Sequence, residues 1–111
     1  MVIDVDNLKK VNDSMGHTAG DELLQRTANV LKNLCNKDIS VYRFGGDEFL
    51  LSVTNVYSRD YMGTVGDTVL EELNKVNINI SAGIALYPND TTKLDELFQY
   101  ADMAMYEVKK N

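Results

Sequence analysis

Carboxylates at the ends of predicted strands are the first candidates for chemistry in this sequence. Asp4 and Asp6 lie at the end of the apolar run that opens the chain, and Asp47 and Glu48 follow two glycines in the stretch YRFGGDEFLLSV, residues 42–53. A pair of carboxylates about 4 Å apart costs about 1 kcal/mol in water and about 4 kcal/mol at an effective dielectric constant near 20. Such a group is therefore expected either to hold a cation or to point apart into solvent.

The ligand chemistry of these residues indicates which cation they would hold. The chain offers hard oxygen ligands, a single histidine and a single cysteine, and this set favours Mg²⁺ or Mn²⁺ over zinc. Mg²⁺ normally takes one or two protein carboxylates and completes its shell with water and substrate phosphate. Asp4 and Asp47 are the pair that we predict to bind it.

The two glycines before Asp47 have two interpretations. Without Cβ atoms, Gly45 and Gly46 let a ligand approach the backbone closely and let the turn take a positive φ. A plain two-glycine hairpin, whose acids merely face water, uses the same physics without a ligand. Spacing alone does not choose between them.

A second polar group lies in the stretch DVDNLKKVNDSMGHTAGDELL, residues 4–24. Asn12 offers an amide and Asp21 a carboxylate, and a carboxylate that accepts from a ring N1–H and an exocyclic amine is the usual way to hold guanine. Each residue also has a structural interpretation. Asn12 would end a helix, Asp21 would favour a helix dipole at its N-terminus, and His17 would be a surface histidine.

The order of predicted elements places these residues in a fold. The strand-forming runs are residues 1–5, 39–44, 49–53 and 77–88, and the helical patterns are a short helix from Asn7 to a turn at 12–16 and longer helices at about 20–35, within 57–75 and at 91–110. Thr92 and Asp95 are spaced as a capping box for the last helix. The order predicts an α+β, ferredoxin-like or palm-like sheet with helices packed on its faces. In such a sheet the first strand and the hairpin are neighbours, so the acids would form one cluster.

Composition limits the class of protein. Seventeen acidic against eleven basic residues give a net charge of −6, which argues against a general nucleic-acid binder and requires a cation to mediate binding of a small anionic substrate. The 111 residues fit one domain, residues 1–111, and their abrupt start within a strand predicts a fragment of a longer chain. We expect a cytoplasmic domain because no apolar run approaches 18 residues and no leader precedes the first strand. Cys35, with no partner for a disulfide, is expected at a small buried position of a helix.

Four stretches together resemble one protein family. RFGGDEF at 43–49 resembles the signature of the GGDEF family of diguanylate cyclases. DVDNLKKVNDSMGHTAGD at 4–21, ISAGIALYP at 80–88 and ADMAMYEVKK at 101–110 agree with the family pattern in order and spacing. The resemblance covers essentially the whole chain.

The resemblance implies a fold, a reaction and a partner. The fold would be palm-like and related to nucleotide cyclases, and the reaction would condense two GTP molecules into cyclic di-GMP with release of two pyrophosphates. Each domain would hold one GTP, so that a homodimer is needed to bring the two nucleotides face to face. Mg²⁺ or Mn²⁺ would be the cofactor, and the parent protein would carry a sensory or phosphodiesterase domain.

The resemblance also assigns roles to individual residues. Asp4 and Asp47 match the metal-binding carboxylates, with the Val5 carbonyl as a further ligand; Asp47 also matches the base for the attacking 3′-hydroxyl, and Glu48 is the second acid of the signature. The substrate-binding positions are Asn12 and Asp21 for guanine, His17 near the ribose, and Lys9, Asn7, Leu8, Lys109, Gly45 and Gly46 for the phosphates and the close approach of the nucleotide.

The chain departs from the family pattern in three places. A family segment before the first strand and a phosphate-binding arginine after the last helix are both missing from these 111 residues. An R-x-x-D product-binding motif is also missing, because Asn36 and Ile39 stand at its two defining positions. We therefore expect no feedback inhibition by cyclic di-GMP through that motif.

Two other classes of protein remain possible on the sequence. A GTP-binding module without turnover could control a neighbouring phosphodiesterase domain, although the intact GGDEF letters favour the enzyme. A purely structural α+β domain would have its acids in a solvated turn, and it would make Asn12, His17, Asp21 and Asp47 coincidences.

Overall fold

The computed structural model describes residues 1–43 and 45–110. Within them the elements, in chain order, are β1 (Val2–Val5), α1 (Leu8–Met15), α2 (His17–Asn33), β2 (Ile39–Arg43), β3 (Glu48–Val53), α3 (Arg59–Asn74), β4 (Ile80–Gly83) and α4 (Leu94–Lys110).

The four strands form one sheet in the order β2-β3-β1-β4, and every neighbouring pair is antiparallel. This order is that of a ferredoxin-like α+β fold, so the predicted fold class is confirmed. Strand β1 lies inside the sheet between β3 and β4. The first strand and the hairpin are therefore neighbours, as the sequence indicated.

Alternation along β1 sends its side chains to two different layers. Ile3 lies on the face that packs against α2 and α3, where it joins Phe49, Leu31 and Leu73 in the larger core. Each of these four side chains is no more than 2% exposed. This face supplies most of the apolar burial that stabilises the domain.

Helix α4 covers the opposite face of β1 and β4. Ala101 and Met105 pack on Val2 in a second, smaller core. Gly83 in β4 allows a very close approach, because a Cβ at this position would lie 2.1 Å from the Ala101 oxygen and 2.3 Å from the Met105 nitrogen. The spacing of α4 from the sheet therefore depends on a glycine at position 83.

Several element boundaries in the first half of the chain differ from the predicted ones. Helix α2 begins at His17 instead of residue 20, because Gly16 with φ 88° separates it from α1 and allows it to start immediately. Cys35 was expected inside this helix but follows its end, half-buried, where its Sγ donates to the Leu31 carbonyl at 3.4 Å. Phe44, the last residue of the predicted strand 39–44, lies outside the described residues.

The second half of the chain holds two further differences. Strand β4 covers only Ile80–Gly83 of the predicted run 77–88. The capping box of Thr92 and Asp95 is wrong, because α4 begins at Leu94 and Thr92 therefore lies two residues before it. The neighbouring Thr91 instead orders the turn before the helix. Its hydroxyl accepts from the Lys93 amide and donates to the Glu96 carboxylate, each at 3.1 Å.

None of the helices described within residues 1–43 and 45–110 is both long and apolar enough to cross a membrane.

Candidate active site

The register of β1 and β3 brings the two predicted acidic stretches together. Asp4 lies directly opposite Glu48, and the Val5 amide donates to the Asp47 carbonyl at 3.1 Å. Directly opposed residues share a face of the sheet, so Asp4 and Glu48 both lie on the side covered by α4. The backbone therefore holds Asp4, Asp47 and Glu48 next to one another at one end of the strand pair.

Asp4 is the most deeply buried of these acids, with 6% of its surface exposed. Its Oδ2 accepts a hydrogen bond and an ion pair from the Lys109 ammonium in the last turn of α4. Its Oδ1 is buried and has no hydrogen-bond partner among the described residues. An unpaired oxygen of a buried carboxylate is costly, so the site favours any ligand that could pair it.

The charge balance around Asp4 explains how a cation fits. Burial raises the pKa of Asp4, the Lys109 hydrogen bond opposes that rise, and the neighbouring Asp47 carboxylate adds to it. When both carboxylates are ionised neither can donate to the other, and Asp4 Oδ1 stays unpaired. A proton or a metal ion shared between the two acids would satisfy both at once. The Asp4 and Asp47 pair thus fits the one or two carboxylates that Mg²⁺ takes from a protein.

Glu48 faces an acid that the sequence did not single out. Burial raises the pKa of Glu48, and the charge of Asp102 on α4 raises it further, followed by those of Asp4 and Asp47. Asp102 lies three residues before Met105 and seven before Lys109, on the part of α4 that faces the sheet. Only the packing of α4 on the sheet reveals it, because helix periodicity alone would assign an acid there to a solvated surface.

Asp6 does not join the predicted four-acid cluster. The Ser81 hydroxyl in β4 donates to its Oδ1 at 2.7 Å, and its amide donates to the Asn79 carbonyl at 2.9 Å. Within the described part of the chain, no three acidic, histidine or cysteine side chains are arranged to hold one metal ion. The expected cluster therefore reduces to the pair of Asp4 and Asp47, with Glu48 beside it.

The turn between β2 and β3 uses its first glycine for its conformation. Gly45 has a positive φ of 76°, and a Cβ there would lie 3.6 Å from a Glu48 carboxylate oxygen. The Arg43 guanidinium donates to the Gly46 carbonyl at 2.9 Å and closes the turn. Around Gly46 there is open space where a Cβ would stand, so this side of the turn is free for a close approach.

The second predicted group lies on the hairpin of α1 and α2. Asn12 is half-buried with its amide packed directly against Gly20, the residue that precedes Asp21. Asp21 and His17 lie one turn apart on α2, and both are exposed. The structure thus brings Asn12 close to the residue before Asp21. Gly20 had no role in the sequence interpretation, because no local pattern reports that a side chain from another helix occupies the space of its missing Cβ.

The start of α1 follows directly from the acids of β1. Asn7 takes a left-handed conformation, φ 63° and ψ 20°, and its carbonyl accepts from the Val11 amide at 3.0 Å. Leu8 is the first residue of the helix, and the exposed Lys9 lines a shallow surface depression together with Asn7. The first amides of this helix receive no cap from the Asn7 side chain, and together with the lysine they make a surface suited to phosphate.

An antiparallel sheet in this order, with acids at the end of its central strands, defines an α+β domain of the palm type. All of its residues, 1–111, match the family described as "Diguanylate cyclase, GGDEF domain". The chain belongs to the GGDEF family, and the resemblance noted in the sequence is confirmed.

Curated relatives carry two different names. The chain is 34% identical over 111 residues to the probable diguanylate cyclase DgcI of Escherichia coli, covering 99% of this chain and 25% of that protein. It is 31% identical over 116 residues to the cyclic di-GMP phosphodiesterase NbdA of Pseudomonas aeruginosa, covering 98% of this chain and 15% of that protein. The chain thus spans a quarter or less of the length of these two bacterial relatives.

Solved structures match the fold closely. The GGDEF domain of YfiN (TpbB) from Pseudomonas aeruginosa superimposes with a TM-score of 0.93 at 31% identity, covering 98% of this chain and 73% of that one.

Proposed function

We propose that this chain is a diguanylate cyclase domain that condenses two GTP molecules into cyclic di-GMP and two pyrophosphates. One observation carries the proposal. A buried carboxylate with an unpaired oxygen, on Asp4, lies beside Asp47 at the start of a helix whose first amides are free to meet phosphate. This arrangement suits a metal-bound nucleoside triphosphate, because an unpaired oxygen on a buried carboxylate destabilises the fold unless a ligand pairs it.

The acids divide the chemical roles. Asp4 and Asp47, with the Val5 carbonyl, would hold Mg²⁺ or Mn²⁺, which when bound lowers the pKa of an attacking hydroxyl and offsets charge on phosphoryl oxygens. Asp47 would take the proton from the 3′-hydroxyl, and the Val5 amide fixes its backbone for that task. Glu48 would favour the protonated form more than an exposed glutamate does, because of its burial and its acidic neighbours.

The hairpin of α1 and α2 would bind the base and sugar. The Asn12 amide and the Asp21 carboxylate would pair with the edge of guanine, and the exposed His17 would lie near the ribose. Asn7, Leu8 and Lys9 would contact phosphates at the start of α1. Lys109 would do so from α4, and Gly45 and Gly46 would let the nucleotide approach the turn.

Two domains would complete one reaction. Each would hold one GTP, and two copies facing each other would place each 3′-hydroxyl in line with the other nucleotide's α-phosphate, which supplies the entropic part of catalysis. We propose that residues 1–111 act as a cytoplasmic domain of a longer bacterial protein with a sensory or phosphodiesterase domain. Without an R-x-x-D motif at Asn36 and Ile39, cyclic di-GMP would not inhibit it through that route.

A GTP-binding module without turnover is the second candidate. It is favoured by the relative NbdA, which matches this chain over 116 residues and is named a cyclic di-GMP phosphodiesterase. Such a module would bind GTP and metal and would control a neighbouring domain, but it would release no pyrophosphate.

The two candidates are separated by measuring GTP binding and pyrophosphate release on the same protein. A cyclase that needs two copies predicts a rate per molecule that rises with protein concentration and then levels off as dimers form. GTP binding with no pyrophosphate at any concentration would instead favour the regulatory module.

A further inference from the structure

Lys109 links the last turn of α4 to the most buried acid of the site. Its ammonium contacts Asp4 Oδ2, across 105 positions of sequence. The two partners differ greatly in exposure, because 36% of the lysine side chain is accessible and only 8% of the aspartate side chain. The lysine therefore reaches inward from the surface along a solvent-exposed stem.

The path of α4 explains why the lysine arrives there. Ala101 and Met105 pack on Val2, and Lys109 follows at the same four-residue spacing. Asp4 follows Val2 by two residues and points to the same face of the sheet. The ion pair therefore continues the smaller core toward the site, and the ammonium is placed where a positive charge meets the acids.

The carboxylate that Lys109 contacts is also the one that a metal ion would bind. Asp4 has one oxygen bound to the lysine and one unpaired, and Asp47 adds a further negative charge. A divalent ion beside an ammonium on one carboxylate is repelled by it at short range. Metal and lysine therefore compete for Asp4.

We propose that Lys109 is a built-in competitor of the metal ion, occupying Asp4 in the nucleotide-free domain and moving to the substrate phosphates when the metal–nucleotide complex enters. The inference rests on the proposed function for the identity of the nucleotide, but not for the competition itself. A free metal ion must displace the lysine from Asp4 and brings no new anionic partner for it. A metal ion that arrives with a nucleoside triphosphate brings phosphate oxygens as the new partner.

The consequence is a coupling between two ligands. Metal alone binds weakly, and a nucleotide strengthens metal binding by more than its own direct contacts provide. Reciprocity then requires metal to strengthen nucleotide binding by the same factor. The site thereby avoids filling with metal ions when no substrate is present.

The test is Mn²⁺ binding to residues 1–111 without nucleotide, followed by electron paramagnetic resonance of the free ion. Lys109→Met and Lys109→Gln remove the charge and are expected to tighten Mn²⁺ binding by at least about fivefold, the lower end of ordinary coupling between sites. Lys93→Met is the matched control, because it removes an equal charge from a lysine just before the start of α4 that pairs with Glu96 at 3.8 Å. It is expected to leave Mn²⁺ binding unchanged.

Two further variants locate the effect and complete the test. Adding Asp4→Asn to Lys109→Met is expected to abolish the tightened binding, and Lys109→Arg, which keeps the charge, is expected to bind Mn²⁺ as weakly as the unaltered chain. Unchanged or weaker Mn²⁺ binding in both neutral variants, or tightened binding that survives Asp4→Asn, would overturn the proposal. Because the assay contains no nucleotide, a failure here is distinct from a failure to form cyclic di-GMP.

Discussion

The side chain of Asn12 occupies the space that a Cβ at Gly20 would need. A methyl group at position 20 would lie 1.7 Å from Asn12 Oδ1 and 2.7 Å from its Cγ. Because the obstructed atoms are the end of a side chain, the amide would have to move while the two helices could stay in place. This contact sets where the Asn12 amide points.

Gly20→Ala is therefore expected to weaken GTP binding without lowering the stability of the fold. The change moves the Asn12 amide and should weaken GTP binding about fivefold, which is equivalent to the loss of a hydrogen bond of about 1 kcal/mol. Alanine also favours a helix over glycine, so the midpoint of thermal unfolding should fall little or not at all. Gly63→Ala is the control, because it lies in α3 with open space around its Cβ position and should leave GTP binding unchanged. Equal GTP affinity in both variants would contradict the role of Gly20.

Gly83→Ala should damage the fold instead. Its Cβ would meet backbone atoms of Ala101 and Met105, which cannot rotate away as a side chain can. We expect a loss of about 1–3 kcal/mol in the free energy of unfolding, measured in urea, as for other overpacked cores. Since α4 also carries Lys109, metal and nucleotide binding should change with it. A stability equal to that of Gly63→Ala would show that α4 can move away at no cost.

The contacts of the Asp90 carboxylate should make the stability of the fold depend on pH. Its carboxylate accepts from the Leu86 amide and pairs with Arg59, each at 2.7 Å, and these contacts, the amide first, hold its pKa below the ordinary value. An acid with a lowered folded pKa stabilises the fold above its unfolded pKa, and this contribution is lost as the pH falls through the folded pKa. Asp90→Ala should cost about 1–3 kcal/mol at pH 7 by leaving the Leu86 amide unpaired, and less below about pH 4.

Urea unfolding at a series of pH values checks the Asp90 prediction. Asp67→Ala, which removes an exposed acid of α3, serves as the control and should change stability by less than about 0.5 kcal/mol. A loss for Asp90→Ala that is as large at pH 3 as at pH 7 would show that the ionised carboxylate is not the stabilising form.

Asp21→Ala tests the choice of base. If the carboxylate pairs with guanine, the change should weaken GTP binding by about tenfold or more and ATP binding by less. A loss of this size is what a hydrogen bond to a charged group contributes. Glu22→Ala removes an equal charge from the next exposed position of α2 and should alter neither nucleotide. Equal losses of GTP and ATP in Asp21→Ala would refute a role in reading guanine.

The features that could be predicted from the sequence are those set by local residue patterns. Alternation in the first strand places Asp4 at its end, and the glycine pair marks the hairpin that brings Asp47 beside it. Contacts between distant elements had no such signal: Lys109 meets Asp4 across 105 positions, and Asp6 turns away to Ser81 because of its register with β4. Helix boundaries near Gly16 and Leu94 depended on backbone conformation and capping, which the side-chain pattern describes only to within a few residues.

The central claim is tested most directly by incubating residues 1–111 with GTP and Mg²⁺ at high protein concentration and separating the products by chromatography. We expect cyclic di-GMP from the unaltered chain and none from Asp47→Asn, which keeps the size of the side chain but removes the candidate base and a metal-ligating charge. Two results would contradict the assignment of this domain as a diguanylate cyclase. One is that Asp47→Asn forms cyclic di-GMP at an undiminished rate, and the other is that the unaltered chain binds GTP but forms no product.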